Sequence, residues 1–314
     1  MTANELPVIP VALDDAKIIS VSQANSFTDC ERKHGFSYLY QKQSPTMSRA
    51  LSIGVGGHEI MASFYRAIKA GMNKIEAQQE AMKDLTAMFS EGTHDFEVLQ
   101  MIYTLMDRYI AQESLSNFAR VLEVEQDFFL PIVEGSYWFG MRLDLLLEAT
   151  AGNMKGKIIL VDHKFTYDFY SADDLSMDMQ MPKYVVPIRF AGYPVAEAYI
   201  NQIRTRFKSD KINEKTDDDL FRLSPVGIEQ ERVKNAFAQQ MRVSERIIER
   251  LNMPVDVAMA EAVPNRNRML CRSCPFKQPC MMMENGYSAQ KSLGNNYVDK
   301  QSGFQLTAKA AEED

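Results

Sequence analysis

The chain has 314 residues, 46% of them hydrophobic, and a formal net charge of −7. This is enough apolar sequence for a sizeable buried core, and the acidic balance argues against a protein that coats nucleic acid through a uniformly basic surface. No apolar run approaches the length of a membrane span, and Met1-Thr2-Ala3-Asn4 lacks the features of a secretory leader, so the expectation is an intracellular, cytoplasmic protein with no membrane partner. In such a compartment four cysteines point to metal ligands or free thiols rather than disulfides.

Residues 1 to about 20 carry prolines and no period, which predicts an extended lead-in. Ser22 or Ser26 is placed to cap a helix reaching about Tyr40, with Cys30 among basic and aromatic side chains. A helix from near Ser52 to Ala70 follows. Gly54, Gly56 and Gly57 weaken its start, which suggests that the backbone approaches something closely there, and His58, Met61, Ala62 and Tyr65 share one face. Asn73 with Glu76 makes a capping-box-like start for a helix to about Phe89, and apolar residues at helical spacing run from Asp95 to Phe118.

From Arg120 the period becomes that of strands. Val121 to Leu130 alternates, and its Glu123, Glu125 and Asp127 read as well as a solvated strand face as site carboxylates, so all three stay out of the site. Tyr137 to Glu148 is long and apolar, with Asp144 between Leu143 and Leu145, where a carboxylate is costly unless it is paired or binds a cation. A short loop, 149–156, leads into Lys157 to Thr166, which predicts antiparallel neighbours. This second run is a buried strand ending in Asp162-His163-Lys164. Period two puts Asp162 and Lys164 on one face and His163 on the other. A carboxylate and an ammonium together at a strand end suit a site that holds a divalent metal and stabilises developing negative charge.

Beyond it, a helix from about Ala172 to Val186 places Gln180 and Tyr184 one turn apart on one face. Tyr193 to Arg204 reads as a further strand, with Arg204, Arg206 and Lys208 after it as phosphate contacts or a solvated basic turn. Glu229 to Leu251 is a polar amphipathic helix. The proline-punctuated segment Cys271-x2-Cys274-x5-Cys280 follows, where closely spaced thiolates need a cation to neutralise them. The tail after Gly286 is polar.

Gly140-x3-Asp144, Val161-Asp162-His163-Lys164 and Gln180-x3-Tyr184, with Gly54-x3-His58 upstream, together resemble the RecB-like branch of the PD-(D/E)XK nucleases. Cys30 with Cys271, Cys274 and Cys280 resembles the cluster-bearing members: the AddB nuclease domain, the CRISPR-associated adaptation nucleases and their phage-encoded relatives. The resemblance runs from about Ser22 to Cys280. It implies an α/β, restriction-endonuclease-like core at 120–210, with a mixed central sheet built as three strands, helix, strand. A helical region, 21–119, precedes this core, and a helix with an iron–sulfur segment, 211–285, and a tail, 286–314, follow it. Glu125 stands where some relatives carry an accessory acid.

By the same resemblance, Mg²⁺ or Mn²⁺ is held by His58, Asp144, Asp162 and the backbone carbonyl of His163. Asp144, Asp162, Lys164, Gln180 and Tyr184 are the catalytic set. The four cysteines hold a 4Fe-4S cluster, preferred over zinc because structural zinc favours two closely spaced pairs. The implied activity is that of a metal-dependent deoxyribonuclease, an exonuclease acting on linear DNA ends, single-stranded or duplex, in recombination, repair or phage DNA processing. A helicase, recombinase or integrase partner and self-association stay open. So do three other readings: a spacer-processing nuclease that works with an integrase, an inactive cluster-stabilised DNA-binding or scaffold module, and a four-cysteine zinc adaptor.

Overall fold

The computed structural model describes residues 17–91, 95–133 and 136–300. They divide into two compact units, one of Met47–Phe128 and Arg142–Ala236, the other of the described parts of 1–46, 129–141 and 237–314. In chain order the main elements are β1 (Lys17–Ser20), α1 (Val21–Asp29), α2 (Arg49–Lys69), α3 (Lys74–Glu91), α4 (Phe96–Gln112), β2 (Ala119–Val133), β3 (Tyr137–Ala149), β4 (Ile158–Thr166), α5 (Gln180–Phe190), β5 (Val195–Arg204), β6 (Phe221–Pro225) and α6 (Gln230–Leu251).

The first unit holds a mixed sheet. β3 pairs antiparallel with β4, β4 parallel with β5, and β5 antiparallel with β6. The short 149–156 loop thus joins antiparallel neighbours, as expected, and the α/β class with its central mixed sheet agrees with the restriction-endonuclease-like expectation. β6 has no counterpart in the sequence reading, because five residues with Leu223 exposed give no apolar alternation to detect. Ile60 and Phe64 of α2, Ile102 and Leu105 of α4, and Leu145, Leu147, Val161 and Ile203 of the strands are buried in one core.

Helix boundaries follow their caps. α2 begins three residues earlier than expected because Ser48 accepts from the Leu51 backbone N–H. Its glycines therefore lie inside the helix. A Cβ on Gly57 would meet the Phe165 ring at 2.1 Å and one on Gly56 would meet Ile102 Cδ1 at 2.6 Å, whereas one on Gly54 would meet nothing within 4 Å. The expected close approach is therefore real at Gly56 and Gly57 and absent at Gly54. Asn73 and Glu76 exchange hydrogen bonds of 2.9 and 3.0 Å, the capping box read from sequence. α4 stops at Gln112 rather than Phe118, since Glu113 leaves the helical region and its carboxylate takes the Ser116 N–H and hydroxyl. The helix expected over Ala172 to Val186 is two, Ala172–Met177 with a Ser171/Asp174 capping box and then α5, separated by an extended Asp178.

In the second unit β1 runs parallel to the start of β3, Ile19 opposite Phe139. Ser20, not Ser22 or Ser26, caps α1 by accepting from Gln23 N–H at 2.9 Å. The expected continuous helix to Tyr40 breaks at Cys30, which is extended, and resumes as Glu31–His34 and a wide turn over Gly35–Leu39. Ile19, Ala24, Phe27, Tyr137 and Ile247 form one apolar cluster. Phe36, Met259, Phe276, Ala289 and Leu293 form another, against which Cys274 and Cys280 pack. The chain after Gly286 forms a helix, Gln290–Asn296, and a two-stranded ribbon of Lys42–Gln43 with Val298–Asp299, where sequence had suggested only a polar tail. Residues 1–16 of the lead-in and 301–314 of the tail lie outside the described residues.

Candidate active site

The site forms where β3 and β4 part. Their pairing runs from Glu148↔Ile158 to Leu145↔Val161 and ends there. The next residues are Asp144 and Asp162. Instead of a β3 carbonyl, the His163 backbone N–H meets the Asp144 side chain, donating to Oδ2 at 2.6 Å. A buried carboxylate needs a partner, and the end of the ladder supplies one.

From one side α2 delivers His58. Its Nδ1 lies 3.6 Å from Asp144 Oδ2 and 3.7 Å from Glu125 Oε1. Among the described residues, His58, Glu125 and Asp144 are the group whose donor atoms all fall within 4.8 Å of one another, a set that could hold a metal ion. Burial, then the charge of Asp162, pushes the Asp144 carboxyl up to about 7. Burial works against a charged His58, but a hydrogen bond to Glu125 and the charges of Asp144, Glu125 and Asp162 outweigh it and raise its pKa. An imidazole and two carboxylates with this surplus of negative charge fit a divalent cation.

From the other side α5 meets the Asp162 carboxylate. Lys164 Nζ is 2.8 Å from Asp162 Oδ2 and donates to Gln180 Oε1 at 3.0 Å. Gln180 Nε2 donates to Asp162 Oδ1 at 2.9 Å and to the Tyr184 hydroxyl at 3.0 Å. Burial opposes the Lys164 charge, yet Asp162 beside it raises its pKa, so the ammonium persists. Tyr184 is held un-ionised, chiefly by burial. His163 turns the other way, as period two requires. Its ring is 2% exposed, lies 2.9 Å from Asn201 Nδ2, and is kept neutral by burial.

The expected residues thus fall into two neighbouring arrays: His58 with Asp144, and Asp162 with Lys164, Gln180 and Tyr184. Glu125, which sequence reading left out, joins the first. Glu123 instead meets Lys69 and Tyr193, and Asp127 meets Arg142. What separates the three acids is the backbone at Glu125, which sits at φ +47. Val121 and Phe128 are both buried although a regular strand would turn them to opposite faces. One left-handed residue between them produces such a change of phase, as in a β-bulge, and no periodic pattern announces it. Arg204 and Arg206, read as candidate phosphate contacts, both pair with Asp168.

The four cysteines line one cavity of about 250 Å³ in the second unit. Cys30 Sγ accepts from Asn265 N–H at 3.4 Å, and Arg32 reaches Cys280 Sγ at 3.9 Å. Burial pushes the Cys274 and Cys280 thiols up. No three of the sulfurs, all on described residues, lie within 4.8 Å of one another. Tetrahedral zinc at about 2.3 Å from each thiolate needs sulfurs about 3.8 Å apart.

A mixed sheet whose parting strands present carboxylates beside a half-buried lysine defines the class, a restriction-endonuclease-like core with a group that could hold a cation. A family model for the PD-(D/E)XK nuclease superfamily matches residues 18–281, and the chain belongs to that superfamily, whose nucleases typically use Mg²⁺ or Mn²⁺. No curated protein matches the chain. A solved chain titled "Crystal structure of SSO0001" is similar over 83% of this chain and 84% of its own, at 14% identity and a TM-score of 0.36, too low to carry an argument.

Proposed function

We propose that this protein is a metal-dependent deoxyribonuclease that hydrolyses phosphodiesters at DNA ends, as an exonuclease in recombination, repair or phage DNA processing. The observation that carries the reading is the parting of β3 and β4. It puts Asp144 and Asp162 side by side, with His58 and Glu125 against one and Lys164 and Gln180 against the other. The order of Asp144 followed by Asp162-His163-Lys164, an acid and then acid-x-lysine, supports this reading. His58, Glu125, Asp144 and Asp162, with the His163 carbonyl, are the residues that would hold Mg²⁺ or Mn²⁺. Such an ion supplies polarisation of the scissile phosphate and a water of lowered pKa.

The chain's own groups do the rest. Lys164, kept charged by Asp162, offsets the negative charge that develops on the phosphorane-like oxygens. Gln180 bridges Asp162, Lys164 and Tyr184 and so fixes the direction of both charged groups. Tyr184, held un-ionised, keeps the amide of Gln180 in place and presents no negative charge to DNA.

Cys30, Cys271, Cys274 and Cys280 would hold a 4Fe-4S cluster that staples the C-terminal segment to the N-terminal helices. That all four line one cavity of about 250 Å³ supports a single shared ligand. DNA is the expected partner, and the working compartment the cytoplasm.

The test is cleavage of end-labelled single-stranded, duplex and circular DNA by anaerobically purified protein with Mg²⁺ or Mn²⁺. Expected is loss of linear DNA that requires the ion and vanishes in Lys164→Ala. No cleavage by cluster-loaded, metal-supplied protein would overturn the assignment, and cutting of closed circles would overturn the requirement for ends.

A further inference from the structure

We infer that a buried chain of polar side chains behind β4, running from His163 through Asn201 and Tyr109 to Tyr65 and Glu113, is a positioning device for the cation donors His58 and Asp144. The inference rests on the cation site proposed above.

The parallel pairing of β4 with β5 sets His163 opposite Asn201. Asn201 Nδ2 lies 2.9 Å from His163 Nδ1 and donates to the Tyr109 hydroxyl at 2.8 Å. That hydroxyl is 3.2 Å from the hydroxyl of Tyr65, which donates to Glu113 Oε1 at 3.3 Å. Ser116 anchors Glu113 through its N–H at 2.9 Å and its hydroxyl at 2.7 Å. None of the five is more than 3% exposed. An amide nitrogen with two N–H groups serves two acceptors here, so His163 Nδ1 accepts and the ring proton sits on Nε2.

Two links run from this chain to the cation donors. The His163 backbone N–H fixes the Asp144 carboxylate at 2.6 Å. The Tyr65 ring stacks on the His163 ring, 5.7 Å apart and 9° from parallel, and Tyr65 lies two helical turns after His58 on α2. The stack therefore sets how far the helix bearing His58 stands from the strand bearing Asp162. Polar groups buried this deeply are costly, and an apolar core would pack α2 on β4 as tightly. What apolar side chains do not provide is a fixed rotation of the His163 ring, which governs the stack on Tyr65, and a fixed place for the His163 residue whose backbone N–H holds Asp144.

The experiment measures Mn²⁺ binding to the full chain without DNA, by electron paramagnetic resonance, for wild type, Asn201→Leu, Tyr109→Phe and Tyr65→Phe, with thermal melting as the check of folding. Removing partners that orient metal ligands typically weakens metal binding by about 10–100-fold. Expected is about tenfold weaker Mn²⁺ binding for Asn201→Leu, with DNA cleavage recovering at saturating Mn²⁺. A smaller loss is expected for Tyr65→Phe, which keeps the stacked ring. A shifted His163 Nδ1 signal in ¹⁵N spectra should accompany the loss in Asn201→Leu. Should Asn201→Leu fail to fold, Tyr109→Phe, which lacks only a hydroxyl, decides. Folded variants that bind Mn²⁺ like wild type overturn the inference and leave the site reading intact. A wild-type protein that binds no Mn²⁺ overturns both.

Discussion

Gly57→Ala and Gly54→Ala make a paired test of how α2 is seated. Both positions lie inside one helix, where alanine is favoured over glycine by about 1 kcal/mol. At Gly54 the new methyl meets nothing within 4 Å, so that gain should appear undiminished. At Gly57 the methyl would stand 2.1, 2.4 and 2.7 Å from three atoms of the Phe165 ring. Ordinary carbon contacts are about 3.5–4.0 Å, so the ring or the helix must retreat by about 1.5 Å. Overpacking of this kind costs about 1–3 kcal/mol, which cancels or exceeds the helix gain. Gly54→Ala should therefore be more stable than Gly57→Ala by about 1–3 kcal/mol. At about 2–4 °C per kcal/mol, their melting temperatures should differ by several degrees.

Differential scanning calorimetry reads the difference directly. The displacement also reaches the site, because the Phe165 ring lies 5.7 Å from that of His58. Gly57→Ala should bind Mn²⁺ more weakly than Gly54→Ala. If Gly57→Ala melts at or above Gly54→Ala, the close approach of α2 to β4 is wrong, and with it the account of why glycine stands there.

Lys164→Ala should keep most Mn²⁺ binding and lose about 10²-fold or more in cleavage, whereas Asp162→Ala should lose both; equal residual activity with equal metal binding in the two would refute the division of roles. Cys30→Ser should lower iron content and melting temperature together in anaerobic preparations, and zinc recovered at one ion per chain from wild type would refute the cluster. His34 is buried, and burial, then Lys300, pulls its pKa down to about 3. The unfolded chain, with an ordinary pKa near 6.5, binds the extra proton first. The contribution is therefore complete above about pH 6.5 and lost as pH falls toward 3, at up to ~1.4 kcal/mol per unit. Urea titrations at pH 7 and pH 5 should show about 2 kcal/mol more loss in wild type than in His34→Phe, and parallel losses would refute the buried neutral ring.

What was legible in the sequence was what depends on period and on neighbours in the chain. The run ending in Asp162-His163-Lys164 announces a buried strand, and period two alone turns Lys164 toward Asp162 and His163 away from both. Asp144 between two leucines announces an unmet electrostatic need, met by the His163 N–H and His58. The capping box at Asn73 and Glu76 is a local exchange and was equally plain. Glu125 was not legible, because its use depends on one left-handed residue that shifts a strand by one position. The break of the first helix at Cys30 was hidden for a similar reason. No glycine or proline stands between Ser20 and His34 to announce the break, yet the cysteine is extended between two helical segments.

The acidity of the chain, the fact that most opposed a nuclease reading, looks different once the charges are placed. Three carboxylates, Glu125, Asp144 and Asp162, gather around the end of the β3–β4 ladder, with Lys164 against Asp162 and His58 against the other two. Burial first, and then the charge of Asp162, pushes Asp144 up to about 7. The basic side chains beyond β5 do not relieve this, since Arg204 and Arg206 are both engaged by Asp168. In the function proposed above, a divalent cation would be the group that makes the site neutral enough to accept a phosphodiester. On that proposal, the same carboxylates that give the chain part of its negative charge would become, with the cation bound, the reason a polyanion can approach.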